Sequence, residues 1–319
     1  MIPVSDIQKM IVSLGKPIVD LAFQEMLSTR IPSPTASRAL KRFAKRWKDY
    51  SRSALMVLCC EAVGGDPSLV YPAAKCLVLS GGAFDLHDDI VDQSYVRTNK
   101  KKKTTLGIFG EEVTLILGDA LLIEGISKLV DLSEHMDPHK VRLIVKAVKD
   151  GLFELGSAEV EELKLVRNLD VTPSRYLRIV NMKAADVEAY ARVGAMIGGG
   201  TPQEIDALGK FGRCLGSIAI LRDDIEDTFN DEAELFSRIT KESLPLPVIY
   251  ALSSPALKKK IESCSKSCSN SEIPEILSLI EKSEGFEKTK RKIESLVLNS
   301  KTALNNVRNP SRLLSLFKT

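Results

Sequence analysis

The chain is poor in the features that would assign it most simply. Only 5% of its 319 residues are aromatic, and no run of about 18 or more apolar residues goes uninterrupted, so no segment is expected to span a membrane. Bases barely outnumber acids, 45 Lys and Arg against 42 Asp and Glu, and the two are interspersed. A dedicated nucleic-acid binder carries a strong basic excess, so no nucleic-acid partner is expected. Met1 to Leu27 is amphipathic with charges throughout, unlike a signal peptide. A soluble, cytoplasmic protein is the expectation. The six cysteines make no disulfide framework: Cys59, Cys60 and Cys76 sit in apolar helical runs, and Cys264 and Cys268 flank a Ser/Lys-rich turn without the second ligand pair that zinc needs. Alternating β-type runs, Gly/Ser linkers and short repeats are missing as well.

What is present is helical. The chain is 44% hydrophobic and 27% charged, enough to bury a sizeable core. Apolar residues recur at three and four, placing helices at roughly 5–29, 35–47, 51–64, 68–96, 105–132, 138–164, 173–198, 202–229, 243–254, 272–282 and 284–306. Pro32, Pro34, Gly64-Gly65-Asp66-Pro67, Asp137-Pro138, Pro173 and Gly198-Gly199-Gly200 punctuate them. Helices longer than 20 residues line bundles rather than decorate sheets, and a segment such as 113–130, apolar nearly all round, needs other helices to enclose it. The expected fold is all-α, one helical domain over 1–319.

Two clusters inside apolar helices carry chemistry: His87-Asp88-Asp89-Ile90-Val91-Asp92 and Arg222-Asp223-Asp224-Ile225-Glu226-Asp227, 135 positions apart (88 to 223). Both read D-D-x-x-D. At about 100° per residue, Asp88 and Asp92 differ by about 40° and share a helix face, as do Asp223 and Asp227. Ordinary solvated acids would not sit among Phe84, Leu86, Ile90 and Val91, or Ile218, Ile220 and Leu221. Six carboxylates facing one cavity would repel one another and carry a large desolvation cost. Hard divalent cations resolve that cost, and magnesium also accepts phosphate oxygens. The expected metal ligands are Asp88, Asp89, Asp92, Asp223, Asp224 and Asp227.

The stretch from Cys60-Glu-Ala-Val-Gly-Gly-Asp-Pro through the first cluster to Phe109-Gly110-Glu111 and Gly118-Asp119-Ala120-Leu121-Leu122 resembles trans-isoprenyl diphosphate synthases, the polyprenyl synthetases. The likeness continues through Lys183, the second cluster and Lys241 to the carboxy terminus. It implies a bundle of long helices around a central cavity, usually as a homodimer, in which three Mg2+ ions bridge the aspartates and the diphosphate of an allylic prenyl substrate. Asp88, Asp92, Asp223, Lys183 and Lys241 would be catalytic, and Arg97, Lys183 and Lys241 would bind diphosphate. Phe84, four residues before Asp88 and about 6 Å further along the helix, would meet the prenyl tail and limit the product to about C15–C20.

The sequence departs from the family where isopentenyl diphosphate, the second substrate, is held. The family's Gly-Lys-Arg-x-Arg-Pro is here Lys48-Asp49-Tyr50-Ser51-Arg52-Ser53, retaining only Arg52. Its His before the first cluster is Ser80, its second Arg after that cluster is Thr98, its Phe-Gln is Ala219-Ile220, and its Lys-Thr is Lys183-Ala184. A longer Lys100–Lys103 loop is a conceivable substitute. Three functions follow: a synthase with a remodelled second-substrate site, a class I terpene cyclase or a prenyltransferase with another acceptor, and a non-catalytic partner subunit. The intact aspartate pairs speak against the third.

Overall fold

The computed structural model describes residues 4–97, 102–134, 136–266 and 272–317, and these are all-α apart from one two-residue ladder. The chain groups into two compact units, Met1–Lys149 with Ala189–Gly209 and Ala303–Thr319, and Asp150–Glu188 with Lys210–Thr302.

The first unit starts with α1 (Val4–Ser28), α2 (Pro34–Arg46) and α3 (Ser51–Ala62), followed by a 3-10 turn and α4 (Tyr71–Val91). The ladder of β1 (Val96–Arg97) and β2 (Lys102–Lys103) is antiparallel, with Val96 opposite Lys103. Then come α5 (Leu106–Phe109), α6 (Glu111–Asp131) and the start of α7 (Pro138–Leu163). The window Pro67–Val91 is long and apolar enough to cross a membrane by composition, but 61% of it is buried inside the protein. Its main cover is α6. Gly118 and Gly125 of α6 let the two backbones close: a Cβ at Gly118 would lie 2.4 Å from His87 Nε2, and one at Gly125 2.6 Å from Ser80 Oγ.

Aromatic packing fixes the end of α2. The Phe23 ring meets Phe43 at 5.9 Å and Trp47 at 5.6 Å, both edge to face. Such contacts add to the area these rings bury and hold Trp47 in one place.

The second unit holds the rest of α7, α8 (Pro173–Lys183), part of α9 (Ala185–Ile197) and α10 (Pro202–Phe229) from Lys210 onward. Next are α11 (Glu232–Thr240), α12 (Leu246–Ala251), α13 (Pro255–Lys266), α14 (Ile273–Glu281) and α15 (Gly285–Ala303). The short α16 (Ser311–Leu314) returns to the first unit.

Several sequence boundaries need correction. The helix expected over 68–96 stops at Val91, and that over 105–132 breaks at Gly110, whose φ is 84°. The helix expected over 173–198 is two helices parted at Ala184, where α10 packs closely: a Cβ on Gly216 would lie 2.8 Å from that of Ala184. The helix expected over 243–254 shrinks to Leu246–Ala251, while α11, α13 and α16 were not anticipated. Cys264 is disulfide-bonded, whereas Cys59, Cys60, Cys76 and Cys214 are free.

The carboxy-terminal segment is tied down by one buried acid. Glu204 closes a capping box at the start of α10, accepting from Thr201 N–H while its own N–H donates to Thr201 Oγ1, and the Arg308 guanidinium grips both of its oxygens. The Arg308 pairing, offset in part by burial, holds the Glu204 carboxyl down at about 2. A depressed carboxyl contributes stability above its ordinary pKa and loses it as pH falls through the folded value. Arg308→Ala is therefore expected to weaken resistance to acid, moving the loss of helical circular dichroism on acid titration to higher pH.

Candidate active site

Both aspartate clusters lie at the carboxy-terminal ends of their helices. Asp88 and Asp89 occupy the last turn of α4 and Asp92 is its C-cap, while Asp223 to Asp227 occupy the last two turns of α10. Neither helix has a base in its last turn. Carboxylates at the negative end of a helix dipole are disfavoured, each by about 0.3–1 kcal/mol at an exposed position. Paired acids placed twice against that field fit a cation, and aspartate oxygens without His or Cys fit a hard one such as Mg2+. Among the described residues no group of three or more His, Cys, Asp or Glu side chains forms a metal site on its own.

The end of α4 explains why the first cluster holds its shape. Ser94 N–H donates to Asp89 O at 2.8 Å and Gln93 N–H to Ile90 O at 3.2 Å, closing the helix as a Schellman motif with Gln93 at φ 54°. A non-glycine residue in this conformation is strained by about 1 kcal/mol. Gln93→Gly should raise stability by about 0.5–1 kcal/mol in urea unfolding.

Around the first cluster, His87 lies 3.2 Å from Asp119 Oδ1, and the half-buried Phe84 meets the His87 ring edge to face at 6.5 Å. Asp85, three residues before Asp88, accepts a hydrogen bond from the Trp47 indole N–H. Surrounding protein pushes the Asp85 carboxyl up. Arg52 and the indole pull it back, while Asp49 and Asp88 add to the rise. Arg52, the cation retained from the expected isopentenyl site, is ion-paired with Asp49. Arg97 belongs to β1, its side chain lying outside the described residues together with Thr98, Lys100 and Lys101. Lys102 and Lys103 are exposed in β2, and Lys103 O accepts from Arg46 at 2.9 Å.

In the second unit the cluster divides by role. Asp223 is exposed, and Asp227 partly so. The protein packed around its base, with Glu226 and Asp224 adding to it, raises the Asp223 carboxyl. Burial also pushes Asp227 up to about 6, despite Arg238 nearby. Asp224 differs. It is 1% exposed, and its oxygens accept from Tyr176 OH at 2.8 and 2.9 Å, Arg238 Nη2 at 2.7 Å and Leu246 N–H at 3.1 Å. A carboxylate so fully engaged by protein donors has little capacity left for the metal-ligand role expected of Asp224.

Arg238, on the unanticipated α11, also lies 3.6 Å from Glu242 and 4.0 Å from Asp227. Burial would lower its pKa, but Tyr176, Asp224, Glu162 and Glu242 hold it well above the ordinary value. Lys183 is ion-paired with Glu162 and lies 3.2 Å from Glu159. Burial pushes Glu162 up, yet Lys183 and Arg238 hold it below the ordinary carboxylate range overall. Lys241 is the exposed C-cap of α11 and makes no ion pair among the described residues. Sequence reasoning missed Tyr176, Arg238 and Glu162. One signal was available: Asp231 caps α11 through Ala233 and Glu234 N–H, ahead of an acidic first turn.

The polyprenyl synthetase family model matches residues 37–280. A short chain isoprenyl diphosphate synthase of Methanothermobacter thermautotrophicus is 30% identical over 240 residues, 74% of this chain and 72% of that one. The heterodimeric geranylgeranyl pyrophosphate synthase large subunit 1 of Arabidopsis thaliana, chloroplastic, is 30% identical over 207 residues, and the chain spans 56% of its length. Among solved structures, the geranylgeranyl pyrophosphate synthetase of Pyrococcus horikoshii superimposes with a TM-score of 0.84 at 22% identity, covering 97% of both chains. The polyprenyl synthetase of Streptomyces coelicolor gives 0.83, also at 22% identity, covering 98% of this chain and 96% of that one.

Proposed function

The chain belongs to the polyprenyl synthetase family, and from that premise we propose that Asp88, Asp92, Asp223 and Asp227 hold Mg2+ with the diphosphate of an allylic prenyl substrate, which the enzyme ionises. It is a prenyltransferase of the trans-isoprenyl diphosphate synthase type making a short-chain product. The observation that carries the site is the pair of D-D-x-x-D clusters, each at the end of a helix whose own last turn holds no base. Mg2+ would supply Lewis-acid stabilisation of the departing diphosphate. Lys183, Lys241 and Arg97 would add positive charge to the same diphosphate, Lys183 by exchanging its carboxylate partners for phosphate. Asp224, Tyr176 and Arg238 keep the second cluster in place. Phe84 remains the proposed limit on the prenyl tail. A single domain over 1–319 is part of this reading, because α7, α9 and α10 run from one unit into the other without a linker.

A second reading, a terpene cyclase or a transferase with another acceptor, is favoured by the Asp49–Arg52 pair, which cancels the one retained cation of the isopentenyl site. Incubation with an allylic diphosphate, with and without isopentenyl diphosphate, separates the two. The synthase gives a longer prenyl diphosphate only when both are present, and the cyclase gives a hydrocarbon or alcohol from the allylic substrate alone. For the synthase, Asp49→Lys with Tyr50→Arg and Thr98→Arg should lower KM for isopentenyl diphosphate about tenfold or more and leave that for the allylic substrate nearly unchanged.

Homodimerisation is supported by α6. Leu115, Ile116, Ile123, Ile126 and Val130 are all exposed, and at 100° per residue they fall within one stripe about 100° wide. An apolar face of this kind marks an interaction surface. Ile123→Glu is expected to convert the dimer to monomer in sedimentation velocity, and an unchanged sedimentation coefficient would remove α6 from the interface.

A further inference from the structure

No side chain of α2 serves the proposed chemistry, yet the helix is densely charged. Its 13 residues hold Arg38, Lys41, Arg42, Lys45 and Arg46 and no acid. The whole chain nets only +3, so outside this helix acids outnumber bases. At about 100° and 1.5 Å per residue, the five cations fall within an arc about 140° wide and about 12 Å long. That arc lies opposite the buried Ala39, Leu40 and Phe43, so every charge on the open side of α2 is positive.

The fold does not use these charges. Among the described residues none of the five pairs with a carboxylate. The acids of α1 nearest to them are taken elsewhere, Asp20 by Lys16 and Glu25 by Lys75 and Lys128. Arg38 with Arg42, Lys41 with Lys45 and Arg42 with Arg46 are like-charged i, i+4 pairs, each mildly destabilising to the helix. Arg46 donates to Lys103 O at 2.9 Å, which brings the exposed Lys102 and Lys103 of β2 to the same end of the stripe.

An open groove of about 620 Å³ runs beside the stripe, between α1 and α2. Its lining sets the exposed Lys41 and Lys45 beside the more buried Phe23, Leu27 and Ala44. Cations bordering an apolar recess match a phospholipid at the point where its charged headgroup meets its chains. A nucleic acid is matched less well, because the aromatic of α2, Phe43, is buried and offers no ring on which a base could stack.

We propose that this face of α2 docks the protein onto an anionic phospholipid bilayer. The helix lies flat on the headgroups and does not enter the hydrocarbon core, because its apolar side is already packed inside the protein.

The test is co-sedimentation of the full-length protein with vesicles, and it needs no prenyl substrate, so its outcome is independent of the proposed activity. The protein should pellet with phosphatidylcholine vesicles containing about 30 mol% phosphatidylglycerol and not with phosphatidylcholine alone. It should come off as salt rises from about 0.05 to about 0.5 M. Lys41→Gln with Lys45→Gln should lower the partition coefficient about 10–30-fold, the share of two cations in the headgroup attraction. Arg38→Gln with Lys45→Gln should do the same, and helical circular dichroism should stay native in both, since these side chains are exposed. Lys290→Gln with Arg291→Gln on α15, which removes equal charge at exposed positions of the other unit, should bind as the native protein does. Native binding in both α2 variants would overturn the proposal, as would equal affinity for neutral vesicles or no binding at low salt. Equal loss in the α15 variant would reduce the effect to net charge and remove α2 as the site. Tighter binding to random-sequence duplex DNA than to the vesicles, lost in the α2 variants, would make the stripe a nucleic-acid contact instead.

Discussion

Asp223→Ala is expected to slow diphosphate release from an allylic diphosphate by about 10²–10³-fold, the order lost when one stabiliser of developing negative charge is removed. Its side chain is exposed and no ordered core depends on it, so helical content and unfolding midpoint should stay near native. Asp88→Ala should behave alike, because Asp88 occupies the matching position in a helix end with the same polarity. Release rates measured beside circular dichroism check both variants together. Near-normal release in either variant would take that aspartate out of the site.

The neighbouring position predicts the opposite pattern. Arg238→Met removes the guanidinium from Asp224, leaving a carboxylate that is 1% exposed with only Tyr176 and Leu246 N–H as donors. Breaking a buried pair from one side costs about 3–5 kcal/mol, because the charge left behind is uncompensated. The expected result is a large drop in the urea midpoint with little change in slope. Asp224→Asn, which keeps a hydrogen-bond acceptor, should be milder. Equal stability of Arg238→Met and native protein would show that the network contributes little to folding. Adjacent aspartates of one motif thus separate by readout, Asp223 by rate and Asp224 by stability.

The sequence made the helical class and the paired aspartates legible because both depend on local periodicity. Spacing of i, i+4 puts Asp88 with Asp92 and Asp223 with Asp227 whatever surrounds them. The division of labour inside the second motif was illegible, since what sets Asp224 apart is Tyr176, 48 residues earlier, and Arg238, 14 residues later. The end of α4 was missed because its cap uses Gln93 where a glycine would have announced it. The break at Ala184 has no local signal either, since no Gly or Pro marks it in the sequence. The departure from the family's isopentenyl segment was visible in the sequence as missing cations. That Asp49 also neutralises Arg52 needed coordinates, although the three-residue spacing permits it.

The central claim is that the two aspartate clusters act with divalent metal on an allylic diphosphate. The most direct measurement is the initial rate of diphosphate release by the native protein as Mg2+ is titrated at a fixed concentration of allylic substrate. The account predicts no release after chelation, a steep rise with Mg2+ as several ions assemble with the diphosphate, and restoration on adding the metal back. Release that survives chelation, or its absence at every Mg2+ concentration with folded protein, would contradict it.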